Sequence, residues 1–269
     1  MDLEISGKVA LIAASSKGLG RAAAEALARE GARVVITSRH ADELARAAAE
    51  VRSLPGATDV HTLSVDLTHG DDVARLVKAT IGRFGQLDIL VTNAGGPKAG
   101  GFADLDENDW IAGLDSTLWP VVRLIGTALP YLEQAAAERG SGRIINIVST
   151  SVKQPIDGLV LSNALRPAVI GLAKSLSREL APKGILINNV CPGSFDTDRI
   201  RELYERRSIS SGKTLDEVRA EDAKRIPVGR LGKPAELGAV IAFLASAQAS
   251  YITGQSLSVD GGTVAGLFG

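Results

Sequence analysis

Several residue types are scarce in this chain of 269 residues, and each scarcity removes a class of protein. A single cysteine, Cys191, excludes an internal disulfide framework and a multi-cysteine metal site. His40, His61 and His69 are scattered without ligand spacing, so no metal is expected. No excess of one charge exists: 30 Lys plus Arg face 31 Asp plus Glu, a net charge of −1. That balance argues against a basic nucleic-acid binder or a polybasic membrane anchor. No apolar run approaches the roughly 18 residues of a membrane span. The opening MDLEISGKVALIAA carries acids ahead of a short strand-like run rather than a signal peptide, so the expected setting is the cytosol. Aromatics make up only 4% of the chain, and just three are tyrosines, Tyr131, Tyr204 and Tyr251.

What the chain does have is 45% apolar residues and 29 glycines, arranged as short β-branched runs alternating with Ala-rich stretches. The runs predict strands at 8–13, 32–37, 60–65, 87–92, 143–148, 185–190 and 256–259. The stretches between them predict helices at 18–30, 41–52, 71–83, 107–139, 159–180 and 234–245. Near-continuous apolar strands belong in a parallel sheet covered on both faces. The repeated βα pattern makes that sheet a doubly wound, mostly parallel, seven-stranded Rossmann-type α/β fold, in one domain over residues 1–269. One polar interruption at 194–225, rich in Arg, Glu and Ser, reads either as a solvated helical excursion or as a substrate lid. The lid reading follows from where such sheets bind ligands, outside the carboxyl ends of their strands.

Directly after the first strand comes Ala13-Ala14-Ser15-Ser16-Lys17-Gly18-Leu19-Gly20, which opens the first helix. In a strand–turn–helix context, glycines let the backbone approach a pyrophosphate, and the helix N-terminus offers unpaired N–H groups and a positive dipole end. The second strand ends in Ser38-Arg39 with no carboxylate, and Lys17 faces it from the Gly-rich turn. An acid there would accept from the ribose diol of NAD; two cations suit the 2′-phosphate of NADP instead. The alternative is two solvated surface charges.

With these motifs in place, the chain resembles the short-chain dehydrogenase/reductase family over nearly its whole length, in particular its 3-oxoacyl-acyl-carrier-protein reductases. The resemblance rests on the Gly-rich turn, Asp66-Leu67, Asn93-Ala94-Gly95 and the strand ending in Ser149. It continues through Pro192-Gly193 with Thr197, and the stretch from Tyr251 to Gly262. Ala13-Ala14 stand where the family carries Thr-Gly, and Ala14 fits if its φ stays negative. The resemblance places Asp66 at the adenine of the dinucleotide, which the charges at the end of the second strand make NADP, Asn93 to Gly95 at the ribose and Thr197 at the nicotinamide amide. It also implies a homotetramer.

The same resemblance implies a catalytic Ser, a Tyr thirteen residues on, a Lys four beyond that, and an Asn on the preceding long helix. Ser149 fits, but the count from it reaches Ser162 and then Arg166, and the Asn position holds Thr117. A Ser hydroxyl is a far weaker acid than a phenol, and Arg is effectively always protonated, so neither replaces the proton chemistry directly. Lys153, four residues past Ser149, is a substitute donor if desolvated near other cations, or else an exposed loop lysine. Lys98, Lys153, Arg166, Arg199, Arg201, Arg206 and Arg207 would favour an anionic substrate if several converge; the lid arginines could equally pair with Glu202 and Glu205.

The expected function is hydride transfer between NADP(H) and a carbonyl or alcohol, small or carrier-bound, at a centre built from Ser149, Lys153, Ser162, Arg166 and Thr117. Two alternatives stand beside it: an NADP-binding protein without turnover, and a non-redox lyase or isomerase on the same scaffold.

Overall fold

In the computed structural model, which describes residues 2–140 and 142–267, the first strand shows how the sheet is built. Val9–Ile12 (β1) is four buried apolar residues whose side chains alternate between the two faces. Val9 and Leu11 enter one core and Ala10 and Ile12 the other, as the period of two demands. Six more strands join it: Arg33–Ser38 (β2), Val60–Ser64 (β3), Ile89–Thr92 (β4), Gly142–Ile147 (β5), Ile185–Pro192 (β6) and Ser256–Val259 (β7). The order is β3-β2-β1-β4-β5-β6-β7, and every pairing is parallel. The order reverses between β1 and β4, so the ligand crevice belongs at the carboxyl ends of those two strands.

Helices cover both faces. Gly18–Arg29 (α1), Ala41–Arg52 (α2) and Pro234–Ala245 (α9) supply the apolar side chains of one core, including Leu27, Leu44 and Ile241. Gly70–Phe84 (α3), Trp119–Arg139 (α5) and Val160–Leu180 (α6) supply the other, through Leu76, Leu124 and Val169. Helices α1 and α9 approach closely because Gly238 has no side chain; a Cβ there would lie 2.5 Å from the Ala22 carbonyl oxygen.

The predicted elements match with end shifts of at most two residues, apart from two differences. The stretch 107–139 is two helices, Glu107–Thr117 (α4) and α5, broken at Leu118. Pro120 in the first turn of α5 has no N–H for the Ser116 carbonyl, so the ladder is interrupted. The polar interruption forms two helices, Asp198–Ser211 (α7) and Leu215–Lys224 (α8). They close on a small apolar cluster of their own, Tyr204, Val218, Ile226 and Leu231. No helix among the described residues is long and apolar enough to cross a membrane, and no group of three or more His, Cys, Asp or Glu among them could hold a metal.

Candidate active site

The turn between β1 and α1 is held from within and from the side. Ser15 Oγ donates to the Ile12 carbonyl (2.7 Å) and accepts from the Thr37 N–H (3.0 Å), fastening the turn to β2. Asn93 Nδ2 donates to the Ala14 carbonyl at 3.0 Å, which brings the end of β4 against the same turn. A Cβ at Gly20 would lie 2.4 Å from that carbonyl oxygen and 2.7 Å from Asn93 Nδ2, so only glycine fits. Gly18 has φ +59, and Lys17 precedes α1 without a side-chain cap, leaving the first-turn N–H groups available to a ligand.

Ala14 corrects an expectation. Its φ is +46, in the left-handed region, not negative. The three-sided grip of Ser15, Asn93 and Gly20 imposes the conformation, and an L-residue carries it at a cost of about 1–2 kcal/mol. Beyond the turn, a cavity of about 210 Å³ opens between α1 and the start of α7, lined by Lys17, Gly18, Arg21, Thr197, Asp198 and Arg201.

At the end of β2, Ser16 Oγ donates to Ser38 Oγ at 3.0 Å, so these two hydroxyls lie in one crevice with Arg39 and Lys17 beside them. Both cations are exposed and loosely paired, Lys17 with Glu43 at 3.9 Å and Arg39 with Asp66 at 4.0 Å. Burial opposes ionisation of Asp66, but the Thr68 N–H and hydroxyl, at 2.9 and 2.8 Å, outweigh it and hold the carboxyl below its ordinary range, helped by Arg39. Leu67 packs partly buried against the core on the α3 side. Asn93, Ala94 and Gly95 leave the end of β4, with Gly95 exposed. The Gly193 N–H donates to Val259 O at 3.0 Å, and Pro192 is the last residue of β6.

The centre of the crevice is a chain of polar contacts. Ser149 Oγ accepts from the Ser151 N–H at 3.1 Å. Ser151 Oγ and Ser162 Oγ share a hydrogen bond of 3.1 Å, and Arg166 Nε donates to Ser162 Oγ at 3.1 Å. Arg166 Nη1 donates to the Val148 carbonyl at 2.8 Å, tying α6 to the end of β5. Burial, reinforced by Arg199, pulls the Arg166 guanidinium down to about 10, so it stays charged at neutral pH. Ser151 carries no family signal by itself; its place two residues after Ser149 is the only clue to its role in the network.

Cys191 lies beside this network. Burial pushes its thiol up to about 11, against the pull of the Lys153 charge and the Ser149 N–H. Lys153 follows Ser149 by four residues on the turn that leaves β5, and its charge acts on the Cys191 thiol. Thr117 is buried at the end of α4, and its hydroxyl has no hydrogen-bond partner among the described residues. None of the three tyrosines joins the centre. Tyr131 packs on the α3-side core, Tyr204 is buried under the α7–α8 pair, and Tyr251 is fully exposed.

The cations converge only in part. Lys98 is bound to Asp109 at 2.7 Å on the surface, and so lies outside the group. Arg201 pairs with Asp196 and Asp198, both at 3.3 Å, and Arg207 with Asp222 at 2.8 Å, rather than with Glu202 or Glu205. Arg199 does neither: its guanidinium lies on Gly96, where a Cβ would be 2.5 Å from Nη2 and 2.6 Å from Nη1.

Residues 13–264 match the family model described as enoyl-(acyl carrier protein) reductase. The chain is 32% identical to the 3-oxoacyl-(acyl-carrier-protein) reductase of Thermotoga maritima over 262 residues, 97% of this chain and 100% of that one. It superposes on the L-sorbose reductase of Gluconobacter frateurii, solved with NADPH and L-sorbose, with a TM-score of 0.93 at 30% identity, covering 99% and 100% of the two chains. A short-chain dehydrogenase/reductase of Serratia marcescens gives a TM-score of 0.84 at 32% identity, over 97% of this chain and 99% of its own. With a family match over this much of its length and the same sheet throughout, the chain belongs to the short-chain dehydrogenase/reductase family.

Proposed function

We propose that the protein is an NADP-dependent oxidoreductase that reduces a carbonyl, or oxidises the corresponding alcohol, at a centre of altered composition. The observation that carries this reading is the uncapped N-terminus of α1 beside a turn that admits only glycine at position 20, with Lys17 and Arg39 at the end of β2. A dinucleotide pyrophosphate fits the first, and a 2′-phosphate the second. Relatives named 3-oxoacyl-(acyl-carrier-protein) reductase and L-sorbose reductase, the latter solved with NADPH, support the same chemistry, including a 3-oxoacyl-like substrate. Asp66, Asn93 to Gly95, Pro192, Gly193 and Thr197 would complete the cofactor site.

NADPH, when bound, supplies the hydride. Ser149 Oγ already accepts from Ser151 N–H, so its own hydrogen is left to donate to the substrate oxygen. Arg166, fixed by Val148 and Ser162, would bond the ribose and stabilise negative charge developing on that oxygen, but stays protonated at neutral pH. Lys153, four residues past Ser149 on the turn that leaves β5, would supply the proton. Residues 194–225 would cover the substrate as a lid.

A second reading, NADP binding without turnover, draws on one observation: Ser162 stands at the tyrosine position but is buried and bonded to Ser151 and Arg166. Calorimetry and the near-ultraviolet absorbance of NADPH separate the two. Tight binding with NADPH consumption on a carbonyl panel supports the enzyme, and binding with none supports the binder. An NADP dissociation constant unchanged in Arg39→Ala would overturn the 2′-phosphate assignment.

A further inference from the structure

The stretch from Tyr251 to Gly262 ends in Asp260-Gly261-Gly262, three residues that neither the cofactor groups nor the catalytic groups use. They follow β7 and form a tight turn. Asp260 Oδ1 accepts from the Gly262 N–H at 3.0 Å and Oδ2 from the Val264 N–H at 2.8 Å, and Thr263 Oγ1 donates to the Asp260 carbonyl at 2.7 Å. Gly261 and Gly262 have φ +64 and +86, a conformation that a side chain would strain.

Both ends of the α7–α8 segment stand on this turn. Ahead of α7, the Gly193 N–H donates to the Val259 carbonyl at 3.0 Å, and a Cβ on Gly193 would lie 2.8 Å from Asp260 Cβ. What Gly193 makes room for is Asp260. Beyond α8, the Val228 N–H donates to the Gly261 carbonyl at 3.2 Å. A Cβ on Gly261 would lie 2.7 Å from Ile226 Cγ2, and one on Gly262 would lie 3.3 Å from Pro227. Ile226 also belongs to the apolar cluster under α7 and α8, so the contact reaches the core of the segment. The two ends hold each other as well: the Gly232 N–H donates to the Ser194 carbonyl at 3.0 Å, and the Asp196 N–H to the Gly232 carbonyl at 2.9 Å. From there the first end runs to Thr197, whose Cγ2 would lie 3.9 Å from a Cβ on Gly18 in the Gly-rich turn.

We infer that the turn at 260–263 is the platform that positions residues 194–225 over the crevice, with Asp260 as the positioning residue that keeps both ends in place. This role rests on the reading of that segment as a substrate lid above. One carboxylate, through two backbone hydrogen bonds, fixes the turn. The turn seats Gly193 on one side and Ile226 to Val228 on the other, and the first of these sets where Thr197 meets Gly18. Asp260 thus acts on the site through the backbone of the lid's two ends.

Hydrogen exchange followed by mass spectrometry on the full chain reads the segment without a substrate. Asp260→Ala should speed exchange across α7 and α8 at least tenfold, with β1, β4 and β5 unchanged. Asp260→Asn, which keeps one acceptor, should fall between Asp260→Ala and the parent protein. Gly261→Ala keeps Asp260 but presses on Ile226, and should loosen the same two helices. NADP⁺ affinity by calorimetry should drop at least threefold in Asp260→Ala, because Thr197 stands on the loosened end. Faster exchange confined to residues after β7, or spread equally over the sheet, would overturn the platform, and so would an unchanged NADP⁺ affinity in a chain that binds it. If the parent protein binds no NADP⁺ and Asp260→Ala still loosens α7 and α8 alone, the oxidoreductase reading falls and the platform stands.

Discussion

The crevice has two halves of different construction. Between β1 and β2 the ligand-facing surface is mostly backbone: free N–H groups at α1, a positive φ at Ala14 and Gly18, and a Gly20 that nothing larger can replace. Between β5 and α6 the surface is side chains, Ser149, Ser151, Ser162 and Arg166, each fixed by a hydrogen bond to the next. A backbone site tolerates residue change as long as its shape survives, which is how Ala14 can stand in a glycine's conformation. A side-chain network keeps its shape but changes its chemistry with each replacement, and here Ser162, where the family resemblance implies a phenol, is a buried hydroxyl bonded to a guanidinium.

Gly20→Val is the sharpest way to break the backbone half. With a Cβ forced to 2.4 Å from Ala14 O, the variant should lose at least a hundredfold in NADP affinity and about 1–3 kcal/mol of stability. Calorimetry and chemical denaturation measure both. Ser162→Ala probes the other half. It strands Ser151 Oγ and Arg166 Nε, so stability should fall by about 1–3 kcal/mol, with a much smaller loss of NADP affinity than in Gly20→Val. Equal affinity losses in the two variants would erase the distinction between the halves.

Ala14→Gly should act in the opposite direction. Relief of the left-handed strain exceeds the entropy added to the unfolded chain, for a net gain of about 0.5–1 kcal/mol and a Tm higher by a few degrees. A lower Tm would show that the turn does not strain Ala14. The smallest effect belongs to Glu236, whose carboxylate is held at about 2 by Arg230, at 2.7 and 2.9 Å, and by the Lys233 N–H at the start of α9. A carboxyl pulled down on folding stabilises above its unfolded value, near 4.5, and loses that contribution as pH falls through about 2. Glu236→Gln should therefore lower Tm slightly at neutral pH, and the gap from the parent protein should close as the pH approaches 2.

Much of this was legible in the chain. Alternating apolar runs and Ala-rich stretches predicted seven strands, six of the helices to within two residues at their outer ends, and the place of the Gly-rich turn. The break at Leu118 was missed because the apolar pattern runs through it, although Pro120 carried the signal. The positive φ of Ala14 had no local signal, since it arises from Asn93 and Gly20 pressing on its carbonyl. Ser151 was unremarkable in sequence and acquires meaning from its hydrogen bond to Ser162, a turn of α6 that only the fold brings beside it.

By itself, then, the sequence determined the sheet, the helices that cover it and the crevice position, because burial patterns repeat along the chain and each strand or helix reads its own. Only the tertiary structure decided which charges meet. Of the seven cations that could have converged, Lys98 is neutralised by Asp109, and Arg201 and Arg207 by acids of the α7–α8 segment. Arg199, which also comes from α7, rests instead with its guanidinium against Gly96. Ion pairing depends on distances of a few ångströms between side chains, and those distances are set by how the helices and loops pack rather than by the order of residues along the chain.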